Sequence, residues 1–226
     1  MSAIEVLLRL GAATIFGYLL GSLPSGVLIG KIFGNVDPRT QGSGKTGATN
    51  ILRTLGPGPA ALVVAMDVGK GILAVLLARY LLFPLPVHPT VNDHVLQTLA
   101  EALAGFAALV GHNYSVFIHF TGGRGVATGA GIVLVMAPIA FLVGVIALVI
   151  PIWVTRYVSL GSMIGAFSCA VCMVILTLTG HDYWPHAAFG VAAATFIILS
   201  HHDNIARIRS GNERRLGSTT RSQPVH

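Results

Sequence analysis

Between Arg124 and Arg156 no residue is charged, and residues 126–154 make one apolar run 29 residues long. Such a run has no polar face to turn toward water, so a bilayer is its natural solvent. Of the 226 residues 54% are hydrophobic and 10% charged, whereas soluble domains carry about a quarter charged. The expectation is an all-α polytopic membrane protein.

The cations then set its topology. The formal net charge is +6, yet Lys and Arg lie in short connections between apolar runs rather than on one polar face. That pattern indicates membrane topology plus an anionic ligand, and no nucleic acid. The connection 31–57 carries Lys31, Arg39, Lys45 and Arg53 against one acid, Asp37, which puts it in the cytoplasm and the N-terminus outside. Spans are expected at residues 10–29, 59–82, 95–110, 161–178 and 184–200. The 126–154 run is too long for one upright crossing and short for two. A single crossing would leave Arg207, Arg209, Arg214, Arg215 and Arg221 outside, so charge bias favours two short crossings with a reversal near residues 138–144. The result is seven transmembrane helices, several short, with a cytoplasmic C-terminus. Residues 1–200 form one transmembrane domain with cytoplasmic loops at 31–57, 111–126 and 156–162, and residues 201–226 form a basic cytoplasmic segment. No basic stretch precedes the first apolar run, which is therefore expected to be a retained span rather than a cleaved signal.

Several polar groups inside the spans have structural readings. Ser22-Leu23-Pro24-Ser25-Gly26 is expected to kink the first helix, and its hydroxyls suit back-bonding and a site role equally. Asp67 and Lys70, three residues apart, read as an intrahelical ion pair. Cys169 and Cys172 fall at helical spacing in an apolar run and read as packing, not redox chemistry. His88 and Asp93 match an HxxxxD pattern used by many acyltransferases, but on the expected outer face they read as coincidence.

The chemistry concentrates elsewhere. In Gly42-Ser43-Gly44-Lys45-Thr46-Gly47-Ala48-Thr49-Asn50-Ile51-Leu52-Arg53, glycines free backbone N–H groups while hydroxyls, an amide and cations complete a cradle for phosphate. Gly122-Gly123-Arg124-Gly125 offers a second flexible backbone around a cation at the start of a helix. Tyr157-Val158-Ser159-Leu160-Gly161-Ser162 and His201-His202-Asp203-Asn204 bring further hydroxyl, imidazole and amide groups to the same face. Gly44-Lys45-Thr46 imitates the end of a P-loop, but the motif needs glycine at position 39, which is Arg39, and a preceding strand.

Taken together, Gly42-Ser43-Gly44 with Gly47-Ala48-Thr49-Asn50 and Arg53, Gly122 to Thr128, Ser159-Leu160-Gly161-Ser162, and His201-x-x-Asn204-Ile205 followed by Gly211-x-Glu213 resemble the bacterial acyl-phosphate:glycerol-3-phosphate acyltransferase family of the PlsY type. Asp67-x-x-Lys70-Gly71 agrees. The resemblance implies seven spans and transfer of a fatty acyl group from acyl phosphate to the 1-hydroxyl of glycerol 3-phosphate, giving lysophosphatidate and phosphate in the bacterial inner membrane. By that similarity Ser43, His201 and Asn204 are candidate catalytic residues. Gly42, Gly44, Lys45, Thr49, Asn50, Arg53, Gly123, Arg124, Ser159, Ser162 and Glu213 are candidate substrate-binding residues. The expected partners are glycerol 3-phosphate, acyl phosphate and membrane lipids, with no cofactor or metal. Two positions depart from the family pattern, Lys45 where Asn is common and Arg124 where Lys is common; both keep or add positive charge while changing hydrogen-bond geometry.

An acyl phosphate is already activated, so positioning and charge stabilisation can carry the reaction without an enzyme nucleophile. His201 and a substrate phosphate oxygen remain alternative proton acceptors. The competing function class is an organic-anion transporter, disfavoured because the polar groups gather at one face rather than at the midplane.

Overall fold

The computed structural model describes residues 2–217; Arg221 and the rest of 218–226 lie outside the described residues. Among the described residues ten α-helices account for most of the length: α1 Ala3–Gly21, α2 Ser25–Gly34, α3 Ala48–Leu55, α4 Pro57–Leu76, α5 Val91–Asn113, α6 Val126–Met136, α7 Pro138–Thr155, α8 Val158–Leu178, α9 Trp184–Ser200 and α10 His202–Arg209. A π-helical turn, Leu77–Leu82, prolongs α4. Five helical stretches among the described residues are long and apolar enough to span a membrane: 3–34, 57–82, 91–113, 138–155 and 158–178. The apolar helices α6 and α9 are shorter.

Pro24 divides the first stretch, since proline lacks the N–H of a continuing helix and disfavours helical geometry before it. The expected span 10–29 is therefore two helices. The carbonyls freed at the break are bonded from outside: Lys70 Nζ donates to Leu23 O at 3.0 Å and Ser115 Oγ to Ser22 O. Ser25 Oγ donates to Asp67 Oδ1 at 2.9 Å, the oxygen that also pairs with Lys70 Nζ at 2.9 Å. The Asp67–Lys70 pair thus forms as expected, and it also repairs the break in its neighbour.

The third expected span, 95–110, is longer in the structure. Thr90 and Asp93 form a capping box, each side chain bonding the other's backbone N–H, which starts α5 at Val91. This capping contact gives Asp93 of the HxxxxD pattern a structural role, and His88 is exposed. Cys169 and Cys172 are free thiols packed against the main apolar core.

Close approaches fix the helix directions. Gly17 and Gly21 of α1 lie against Ala104 and Ala108 of α5, where a Cβ would strike backbone, so these two helices run parallel. Glu101 meets His186, and Asn113 meets Ser200, so α9 runs parallel to α5. In the 126–154 run the chain reverses at Ala137, one residue before the expected stretch, because Pro138 suits the first position of a new helix. Its first arm is short: α6 has 11 residues, about 16 Å of rise, roughly half the apolar thickness of a bilayer. Accordingly the α5 and α9 C-termini and the α6 and α8 N-termini share one end of the bundle.

Candidate active site

At that end lies a cleft of ≈ 1330 Å³, open mouth included. Every candidate site residue except Gly42 and Gly44 lines it. Those two glycines, at φ +58° and +69°, turn the 41–47 loop instead, and a side chain on Gly42 would collide with Asn50.

Asn50 holds this loop together. Its Oδ1 accepts from Ser43 N–H at 2.9 Å, and its Nδ2 donates to the carbonyls of Pro38, Gln41 and Lys45. With the amide fully engaged, Asn50 shapes the cradle and has little left for a ligand. Arg39, the residue that breaks the P-loop pattern, pairs with Asp37 at 2.7 Å and donates to Ile118 O, tying the first loop to the second. Thr46 N–H reaches Gly122 O at 3.4 Å across the same seam.

Three helices point uncapped N-termini at the cleft. The N-cap residues of α3, α6 and α8 are Gly47, Gly125 and Tyr157, none making a side-chain cap bond. Their first turns line the wall through Ala48 and Thr49, Val126 and Ala127, and Val158 and Ser159. Free N–H groups and the positive ends of the helix dipoles favour an anion.

Two cations complete the field. Neither Arg53 nor Arg124 has an ion-pair partner among the described residues, and Arg124 Nε is buried without a hydrogen bond. Burial pushes both guanidinium pKa values below their ordinary range, with Arg214 adding to the shift at Arg53 and Arg207 at Arg124. Both stay charged at neutral pH, so each is a desolvated cation lacking an anion.

Acceptors face the same space. Asn204 Nδ2 donates to Glu213 Oε1 at 2.7 Å; a carboxylate can only accept, so the amide nitrogen must face it. Asn204 Oδ1 is thereby left buried without a partner. His201 Nδ1 lies 2.8 Å from Ile197 O, also acceptor-only, which puts the proton on Nδ1 and the lone pair on Nε2. Burial pushes the His201 pKa down to about 4, and Arg124 reinforces it.

Glu213 acts behind the wall. It also accepts from Ser159 Oγ at 3.0 Å and Arg207 Nε at 3.1 Å, so it orients two cleft-lining groups, Asn204 and Ser159, together with Arg207, and is a poor phosphate ligand itself. Ser162 Oγ is bonded back to Val158 O.

Sequence reasoning missed two ionisable lining residues, Asp67 and His112. His112 Nδ1 lies 3.4 Å from Asp67 and 3.2 Å from Thr128 Oγ1, and the ring lies against Gly123 of the second cradle. A Gly-His step beside a Gly-Gly-Arg-Gly loop was the available signal, but only packing of α4 on α5 and α6 joins these residues.

The family model for glycerol-3-phosphate acyltransferase matches residues 11–211. A glycerol-3-phosphate acyltransferase of Trichormus variabilis is 43% identical over 92% of each chain, and glycerol-3-phosphate acyltransferase 1 of Deinococcus radiodurans is 40% identical over 91% of this chain and 94% of the relative. The crystal structure of PlsY, an integral membrane glycerol 3-phosphate acyltransferase, in its glycerol 3-phosphate form superposes with a TM-score of 0.78 at 33% identity, covering 92% of this chain and 96% of that one. Its lysophosphatidic acid form gives 0.75 at the same identity.

Proposed function

Since the chain belongs to the glycerol-3-phosphate acyltransferase family of integral membrane enzymes, we propose that it takes the acyl group from acyl phosphate and places it on the sn-1 hydroxyl of glycerol 3-phosphate, releasing phosphate and lysophosphatidate. The observation that carries this reading is the pairing of unpartnered cations and helix N-termini with unpartnered acceptors in one cleft. Phosphate groups match the first and a glycerol hydroxyl the second. Arg53, Arg124, Lys45, Gly123, Thr49 and the uncapped amides hold the two phosphates, and charge growing on the leaving phosphate is met by groups already in place. Ser43, His201 and Asn204 position the attacking hydroxyl.

A pKa near 4 makes His201 a weak base at neutral pH, which favours a substrate phosphate oxygen as proton acceptor. The hydroxyl oxygen attacks the acyl carbon, its proton passes to that phosphate oxygen, and the carbon–oxygen bond to the donor phosphate breaks. Seven membrane-embedded helices, α1 with α2 and then α4 to α9, give an outside N-terminus and a cleft facing the cytoplasm of the inner membrane, in keeping with Lys31, Arg39, Lys45, Arg53 and the basic tail. Membership of an enzyme family removes the transporter alternative.

The test is an assay of purified protein with glycerol 3-phosphate, offered acyl phosphate, acyl-CoA and acyl carrier protein in turn. Lysophosphatidate forms from acyl phosphate alone. Equal product from a thioester donor would overturn the donor assignment, and no product from any donor would overturn the reaction.

A further inference from the structure

Below the cleft, toward the opposite end of the bundle, α6, α7, α8 and α9 line a second cavity of ≈ 570 Å³, its open sides included. Its walls are almost wholly apolar, and it joins the cleft along α6 and α7, because Val126, Ala130, Phe141, Val145, Leu148 and Ser162 line both. Along α8 it runs from Ser162 to Met173, about 16 Å at 1.5 Å per residue. Met173 is fully buried and Phe189 is 3% exposed. Both are braced from behind: the Met173 sulfur packs on Gly190, and the Phe189 ring sits against Gly105 of α5. Beyond them Met136, Ala137 and Ala140, at the α6–α7 reversal, continue the same buried cluster. The half-length α6 therefore ends the cavity inside the bundle instead of letting it run through to the far surface.

Resting on the proposed acyl transfer, we infer that Met173 and Phe189 are the chain-length determinants of the acyl donor, closing a blind channel whose open end lies at the reacting carbonyl. An extended saturated chain advances about 1.25 Å per carbon, given C–C bonds near 1.5 Å and angles near 111°. The channel below Ser162 thus takes about 13 carbons. A longer chain meets the Met173 thioether and the Phe189 ring.

The experiment measures kcat/KM of the intact enzyme in lipid nanodiscs for a graded series of saturated acyl phosphates. The profile for the unaltered protein peaks near the channel length and falls beyond it. Met173→Ala and Phe189→Ala extend the channel and raise the ratio of longer-chain to peak-chain kcat/KM about tenfold, the scale on which apolar pockets discriminate methylenes. Ala193→Phe, on the α9 wall, fills the channel from the side and moves the peak to shorter chains. Each ratio comes from a single preparation, so a reduced folded fraction cancels. If all three variants keep the unaltered profile while still making lysophosphatidate, the tail rests in the bilayer and the length determinant is refuted, with acyl transfer intact. Absence of transfer from every acyl phosphate in the unaltered protein would sink the reaction itself.

Discussion

The bundle holds two polar regions at opposite ends, and they differ in one respect. Away from the cleft, Arg79 makes a two-pronged pair with Glu101 at 2.8 Å on each arm, and also donates to Val135 O at the end of α6. His186 bridges Glu101 at 3.1 Å and Asp182 at 2.8 Å, while Gln97 covers the carbonyls of Arg79 and Phe83. Each charge there has a protein partner. In the cleft Arg53 and Arg124 have none among the described residues, and three helix N-termini lack side-chain caps. Charge closed on itself is architecture, whereas half-buried charge left open asks for a ligand.

Breaking the open region should cost catalysis, and breaking the closed one should cost stability. The largest effect is expected at Arg124 and Arg53. Arg124→Ala and Arg53→Ala each lose about 10³-fold in rate, roughly 4 kcal/mol, as when a preorganised donor to a developing anion is removed, with the bundle still folded. Glycerol phosphate acylation alongside a thermal unfolding scan separates the two quantities. Glu101→Gln does the reverse. It leaves Arg79 and His186 facing a neutral amide and lowers stability by about 3 kcal/mol, while the surviving folded enzyme keeps its KM for glycerol 3-phosphate.

Glu213 tests whether a closed pair can serve the open region. Glu213→Ala releases Asn204, Ser159 and Arg207 together and is expected to cost about 2 kcal/mol of transition-state stabilisation, a thirtyfold loss in kcat/KM, with Glu213→Gln intermediate. The pH profile is a finer probe. His201 is neutral in the folded protein above about pH 4, so it does not titrate near its ordinary 6.5. Its depressed pKa makes the unfolded chain bind the proton first as pH falls, so this group withdraws stability between pH 6.5 and about 4 and leaves neutral pH unaffected. The acid limb of activity should then follow substrate phosphate, near pH 6, and keep its position in His201→Gln even as the rate drops. At the bottom of the scale, His88→Ala should leave activity unchanged, because its motif partner Asp93 is engaged in the capping box of α5 with Thr90.

Much of the site was legible in the sequence because glycine, hydroxyl and cationic side chains are conspicuous in an apolar chain. Arg53, Arg124, His201 and Asn204 stand out on that ground. Their division of labour did not. Asn50 and Glu213 look like ligands by residue type, yet their bonds to four and three protein groups make them supports. His112 and Asp67 were overlooked because one sits inside a long helix end and the other reads as half of a local ion pair.

By itself the sequence determined the membrane, through its long apolar runs, and the basic polar face, through the excess of Lys and Arg in the connections on one side. Hydropathy and charge bias act residue by residue, so a linear reading suffices for both. Tertiary structure decided the rest: that Pro24 yields a break repaired by Lys70, that α6 stops halfway at Ala137, and that three bare helix ends converge on two unpaired arginines. Each depends on which distant residues supply a missing hydrogen bond or withhold one, and only the folded packing of the helices settles that.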